Sequence, residues 1–525
     1  MQSLAALDRR YVWHPFTQMK DWVRHDPIVV VAGKGAILVD ARGKEYLDAN
    51  ASIWTNLHGH RNARIDAAIR RQLGKIAHSS ALGLANEPAS RLAAELVRCA
   101  HVPTRIERRV RAAGAPAPRL EKVFFSDDGS TALEVALKLA WEYSRRTRGM
   151  RKPRFLSLEG AYHGDTIGAV ALGHIDLFHR AFGGLLFRSD AVMAPYCYRC
   201  PFNRARPERA DARAYRECGW ECVDRVESAL DKARRRGGGY AAFVYEPRLQ
   251  GAAGMIAQPD GWLARVTDLA RAHECLLIAD EVMTGFARTG GDPAAASEPV
   301  LFASLGERVI PDFLCLAKGL TGGYLPMAAT LTTQAVFAAF LGEYEEFRTF
   351  FHGHSYTGNQ LGAAAGLASL ELLRSPAAVE RRRRLAGCLD EALKSLWRLP
   401  NVGDIRRVGL VAGVELVRDW RTRSPFALEE RIGFRVCEAM ARRGVLTRPI
   451  GSVIVLMPSY VMSEAQLLRC VTVLAESIEE VLGPAGVPVG RRSQSEESGR
   501  SRSSAPTRHH EDSGSPRAKR RRAQD

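Results

Sequence analysis

Two residues of this 525-residue chain, Asp280 and Lys318, have the types and positions to do chemistry together. Asp280-Glu281 follows the apolar run Leu276-Leu277-Ile278-Ala279, at the carboxyl end of a predicted strand, where open α/β sheets place ligand-binding residues. Lys318 follows a second apolar run, Phe313-Leu314-Cys315-Leu316, and precedes the glycine-rich Gly319-Leu320-Thr321-Gly322-Gly323, whose backbone can approach a ligand closely. A lone aspartate there could cap a helix, and a lone lysine could be a solvated surface residue. Together they suit pyridoxal 5'-phosphate: a partly desolvated lysine is the nucleophile that joins the cofactor aldehyde as a Schiff base, and a carboxylate pairs with the ring nitrogen. At about 4 Å and an effective dielectric of about 20 that pairing is worth roughly 4 kcal/mol before desolvation, or about three pKa units, enough to keep the ring protonated.

The phosphate needs donors. Ser126-Asp127-Asp128-Gly129-Ser130-Thr131 lies between the strand-like Val123-Phe124-Phe125 and a helical pattern carrying Leu133, Ala136, Leu137, Ala140 and Trp141, so Gly129 and Ser130 fall at a helix N-terminus. An ordinary helix cap is the plain alternative. Tyr162-His163-Gly164-Asp165 follows Phe155-Leu156-Ser157-Leu158, which lets Tyr162 stack on the cofactor ring and Asp165 support the site.

These residues need a scaffold. From about 120 to 330, short apolar runs, including Ala242-Phe243-Val244-Tyr245, alternate with helical patterns, which predicts an α/β domain around a mostly parallel buried sheet. The expected division is an N-terminal segment over 1–55 packing with a small domain, a large cofactor-binding domain over 56–345, a small α+β domain over 346–485, and a disordered basic tail over 486–525. Segment 105–119 reads as a surface insertion. The tail is rich in Ser, Arg, Glu and Pro and too poor in bulky apolar residues to offset the entropy of ordering.

Composition narrows the class. With 46% hydrophobic residues the chain can bury a large core. The formal charge is +17, but residues 491–525 hold ten basic against five acidic residues, so +12 lies upstream and the basicity is diffuse. The basic cluster at 519–522 motivates a nucleic-acid-binding reading, against which the intact Lys318 and Asp280 argue. No secretory leader or membrane span is read, so a cytoplasmic location is expected. The ten cysteines do not form a disulfide framework, and Cys275 and Cys315 sit inside apolar runs. Cys197, Cys200, Cys218 and Cys222 have a spacing close to four-cysteine zinc sites, and a metal there would be structural. The chemistry itself calls for no metal.

The ordered set Asp128-Gly129-Ser130, Tyr162-His163-Gly164-Asp165, Glu246-Pro247, Ala279-Asp280-Glu281, Gly285-Phe286-Ala287-Arg288-Thr289-Gly290 and Lys318-Gly319 resembles the class III aminotransferases. Trp13-His14-Pro15-Phe16-Thr17-Gln18-Met19, Leu57-His58-Gly59, Gln250-Gly251-Ala252-Ala253-Gly254-Met255 and Arg448-Pro449 resemble the branch that aminates 8-amino-7-oxononanoate in biotin biosynthesis, over residues 10–480. The resemblance implies fold type I, a homodimer with shared sites, Lys318 as the cofactor lysine, Asp280 on the ring nitrogen, Gly129 and Ser130 on the phosphate, and Tyr162 at the ring. It also implies that Gly353-His354-Ser355 serves the neighbouring subunit's site, with Ser355 on the phosphate and Gly353 toward substrate. Arg448 would receive the substrate carboxylate, as the two-pronged guanidinium allows. Phe16 and Trp54 would line the donor site. Relatives that use S-adenosylmethionine usually carry Tyr at the position of Phe16 and Trp at that of Ile53, whereas relatives thought to use L-lysine have the pattern Ile53-Trp54-Thr55-Asn56-Leu57-His58-Gly59-His60 shows, so both donors stay open. Another class III enzyme acting on ornithine, 4-aminobutyrate or a diamine is the rival reading; membranes and nucleic acids are not expected as partners.

Overall fold

The computed structural model describes residues 3–101, 118–290 and 300–483. Most of the expected insertion at 105–119 and all of the basic tail lie outside the described residues.

Three short strands open the chain, β1 (Val30–Lys34), β2 (Ile37–Asp40) and β3 (Glu45–Asp48), with β2 and β3 joined through Gly43 at φ 80° where the sequence carries Arg42-Gly43-Lys44. The central sheet then collects β4 (Leu120–Ser126), β5 (Phe155–Leu158), β6 (Asp190–Val192) and β7 (Ala242–Tyr245). A ribbon of β8 (Leu249–Gln250) and β9 (Ile256–Ala257) follows, and β10 (Leu276–Asp280), β11 (Phe313–Leu316) and β12 (Ala328–Thr333) complete the sheet. Its order is β4-β12-β11-β10-β7-β5-β6. The pairs β10–β11, β10–β7, β5–β7 and β5–β6 are parallel, and β12 runs antiparallel to both of its neighbours. The mixed α/β fold with a mostly parallel sheet is thus the one expected; the reversed, threonine-rich β12 carries no apolar run of the kind that announced its neighbours.

Every residue of β5, β7, β10 and β11 is buried, as strands covered on both faces must be. Each fully buried Leu, Ile or Phe in them contributes roughly 1.5–3 kcal/mol. The helix Gly129–Arg148 lays Leu133, Ala136, Leu137 and Ala140 on the sheet. Trp141, grouped with them from the sequence, instead sits at the rim with 37% exposure.

A second sheet, β13 (Val402–Val408), β14 (Val411–Leu416), β16 (Pro449–Ile450) and β17 (Val453–Leu456), is antiparallel in the order β13-β14-β17-β16. The strand β15 (Val445–Leu446) pairs in parallel with β3, which puts the N-terminal strands and residues 445–446 in one sheet. Cys275 and Cys315 are buried, and no disulfide joins the cysteines of the described residues. Among the described residues no helix is long and apolar enough to cross a membrane.

Candidate active site

The carboxyl ends of five central strands meet at one cavity of about 440 Å³. β4 delivers Asp127, Asp128, Gly129 and Ser130, β5 leads to Tyr162, His163 and Gly164, and β7 leads to Glu246. β10 ends on Asp280, and β11 is followed by Ala317 and Lys318. Register sets the central pair: Asp280 lies opposite Cys315, three residues before Lys318.

Asp280 is buried, and His163 Nδ1 lies 2.8 Å from its Oδ2 while the Val282 N–H donates to its Oδ1 at 3.1 Å. Lys318 has a φ of 40°, a conformation that turns the chain sharply as it leaves β11. Burial pulls its pKa below the usual lysine range, against the opposing pull of Asp280 and Glu246. The Trp54 ring centroid stands 4.7 Å from Lys318 Nζ.

Glu246 was quoted above only as part of a motif, yet it lines the cavity beside these groups. Burial pushes its carboxyl up to about 7, with His163 pulling the other way and the Asp280 charge adding to the rise. Its Oε2 accepts the Gly251 N–H at 2.8 Å. Glu281, next to Asp280, points elsewhere: its carboxylate accepts the Ser304 N–H at 2.8 Å and serves the fold.

Asp128 caps the helix Gly129–Arg148, its Oδ1 accepting the Thr131 N–H at 3.0 Å. The helix-cap alternative therefore holds for Asp128, while Gly129 and Ser130 line the cavity at the positive end of the helix dipole. Backbone packs closely here. A Cβ on Gly129 would stand 2.7 Å from Val282 Cγ1, and one on Gly164 2.1 Å from Ser130 Oγ. Ser130 Oγ also accepts the Asp165 N–H at 3.1 Å, and the Tyr162 hydroxyl donates to Asp165 Oδ2 at 2.7 Å. Burial and that bond push the Tyr162 phenol above its usual range.

Other predicted residues lie outside the cavity. Phe16 is exposed at its approach, its ring 6.3 Å from Tyr162 and 5.2 Å from Phe178, both edge-on. Gly353 and Ser355 are exposed; His354 Nδ1 lies 3.6 Å from Asp127 Oδ2, and His78 Nε2 lies 3.0 Å from the Ser355 carbonyl. Arg448 is exposed between β15 and β16. The four spaced cysteines line a separate small pocket with Trp220 and Arg216, whose Nη1 donates to Cys218 Sγ at 3.2 Å; among the described residues no group of three ligands is placed to hold a metal ion.

A mostly parallel sheet whose strand ends bring together a lysine, an aspartate and a helix N-terminus suits pyridoxal-phosphate chemistry. The chain belongs to the class-III aminotransferases, whose family model matches residues 18–478. It is 45% identical over 482 residues to the adenosylmethionine-8-amino-7-oxononanoate aminotransferase of Geobacter sulfurreducens, covering 92% of this chain and 98% of that one. To the enzyme of the same name from Nitratidesulfovibrio vulgaris it is 48% identical, over 88% of this chain and 79% of the relative. The crystal structure of the Methanocaldococcus jannaschii enzyme of that name superposes with a TM-score of 0.79 at 36% identity, over 91% of this chain and 99% of that one.

As a member of this class the chain is a pyridoxal 5'-phosphate-dependent aminotransferase. The cavity fits that group: an amine, a carboxylate and a helix N-terminus carrying Gly129 and Ser130 line it, and three buried polar atoms of its lining residues, Trp54 Nε1, His163 Nε2 and Glu246 Oε1, have no protein partner.

Proposed function

We propose that this chain converts 8-amino-7-oxononanoate to 7,8-diaminononanoate in biotin biosynthesis, taking its amino group from S-adenosylmethionine or L-lysine. The observation that carries this reading is the 45% identity to a relative named for that reaction, held over 98% of the relative's length. The same observation weighs against ornithine, 4-aminobutyrate or a diamine as substrate.

Bound pyridoxal 5'-phosphate supplies a carbonyl for the amino nitrogen and a protonated ring that draws the electron pair from the substrate carbon. In this reading Asp280 holds the ring nitrogen, and His163 behind it fixes the carboxylate's orientation. Gly129 and Ser130 hold the phosphate, and Tyr162 packs at the ring. Lys318, with its pKa lowered by burial, keeps a larger fraction of free amine at neutral pH and moves the proton at the substrate carbon through Nζ. Trp54 and Phe16 bound the donor's path, and Arg448 receives the acceptor's carboxylate. The segment Gly353-His354-Ser355 completes the neighbouring site in a homodimer, Gly353 toward substrate and Ser355 on the phosphate.

Two signs of the donor disagree. The relatives' names give adenosylmethionine, whereas Phe16 and Ile53 match the pattern thought to use lysine. A half-reaction tests both: the cofactor-loaded protein is mixed with each donor and its visible absorbance followed, with Lys318→Ala as control. Bleaching by one donor, reversed by 8-amino-7-oxononanoate, is expected. Failure of the keto acid to restore the band would sink the reading and favour an ω-amine substrate.

A further inference from the structure

Four consecutive non-glycine residues, Ala51, Ser52, Ile53 and Trp54, have φ values of 44°, 49°, 59° and 69°. A left-handed turn of L-residues crowds each Cβ against the following carbonyl, so it persists only where its surroundings hold it. No glycine in the turn relieves the strain.

Asp48 supplies the hold. It is buried at the end of β3, where Oδ1 accepts the Ser52 N–H at 3.0 Å and Oδ2 accepts the Ser52 hydroxyl at 2.8 Å. His60 Nε2 lies 3.3 Å from the same Oδ2 and braces the carboxylate. The turn's own backbone adds the Trp54 N–H on Asn50 O and the Asn56 N–H on Ala51 O, both at 2.9 Å. Gly323, from the loop that follows Lys318, closes against the exit of the turn: a Cβ there would stand 3.0 Å from Asn56 N and Cα.

The turn delivers Trp54. Its ring meets Lys318 Nζ at 4.7 Å, and its Nε1–H is buried without an acceptor while the residue lines the cavity. Extended backbone over the same residues would send the side chain in another direction. We propose that Asp48 is a positioning residue: by holding the left-handed turn 51–54 it sets the Trp54 indole on Lys318 Nζ and its N–H toward the ligand. The proposal rests on the reading of Lys318 as the cofactor lysine.

The visible absorbance of the cofactor-loaded protein has a pH midpoint that reports the Lys318 nitrogen. An indole face stabilises positive charge there, so withdrawing it lowers the midpoint. Asp280, Glu246 and, behind Asp280, His163 face the same region and stay in place in every variant. Trp54→Ala is expected to lower the midpoint by about one unit. Asp48→Ala should lower it similarly, and the double variant no further than Trp54→Ala alone, since residues acting through one another are not additive. Ile53→Gly should return the Asp48→Ala midpoint toward the parent's, because glycine takes a positive φ without the Cβ penalty and the replaced side chain is 43% exposed.

An Asp48→Ala midpoint equal to the parent's, or additive shifts in the double variant, overturns the proposal. If Asp48→Ala does not fold, Asp48→Asn and Ser52→Ala carry the same comparison with one bond removed at a time. Thermal melts of the cofactor-free protein give a second readout: Ile53→Gly should raise the melting temperature more in the Asp48→Ala background than in the parent, and equal gains overturn the claim that Asp48 holds the turn. A visible band that persists unchanged in Lys318→Ala refutes the role of Lys318 and leaves the melts to decide Asp48; absent keto-acid turnover with midpoints as expected refutes the substrate alone.

Discussion

His163 Nδ1 lies 2.8 Å from Asp280 Oδ2, with the imidazole fully buried behind a carboxylate that is itself 7% exposed. The histidine reaches Asp280 from the loop after β5, 117 residues away in sequence, and restrains the carboxylate proposed to pair with the cofactor ring. Such a bond is worth roughly 1.5–3 kcal/mol when one partner is charged.

His163→Phe keeps the volume and removes the bond. The cofactor should then bind roughly ten- to hundredfold more weakly, as that energy converts. Equilibrium dialysis against pyridoxal 5'-phosphate measures it, and undiminished affinity would show that Asp280 needs no support.

Glu246 links stability to pH. Its carboxyl sits at about 7 in the folded chain against an ordinary 4.5, so between those values the folded state binds the extra proton. The associated stability is complete below about 4.5 and is lost as pH rises to about 7, a change on the order of 3 kcal/mol. Glu281 is raised to about 7 as well, also by burial. Glu246→Gln should therefore remove its own share of the pH dependence, on the order of 3 kcal/mol between about pH 4.5 and 7.5, read from urea unfolding of the cofactor-free protein; an unchanged dependence would place the titration elsewhere.

Gly164 has a φ of 120° and no room for a side chain. Gly164→Ala should push Ser130 from the helix N-terminus, destabilise the protein by about 1–3 kcal/mol and weaken the cofactor. Gly183→Ala is the control, because nothing lies within 4 Å of a Cβ there. Calorimetry with and without cofactor separates the two effects, and equal behaviour of both variants would contradict the tight fit.

Arg448 tests how the acceptor is recognised. Lysine keeps the charge but loses the two-pronged geometry, so Arg448→Lys should raise the KM for 8-amino-7-oxononanoate roughly tenfold or more and leave the donor half-reaction unchanged. A KM rise for both substrates equally would point to a general effect on the fold.

The sequence alone determined the chemistry and the scaffold that carries it. Buried parallel strands are continuous apolar runs, and the edge strand β4 ends on the apolar Val123-Phe124-Phe125, so the ends of β4, β5, β7, β10 and β11, and with them Gly129, Tyr162, Asp280 and Lys318, could be read from local pattern. Tertiary structure decided what local pattern does not encode. The reversed β12 has no apolar run, and its place follows from pairing with β4 and β11. His163 meets Asp280, and Glu246 enters the cavity, because separate strand ends converge on it. The left-handed turn before Trp54 runs against the intrinsic preference of all four of its residues; only contacts with Asp48 and Gly323, brought together by folding, make it stable.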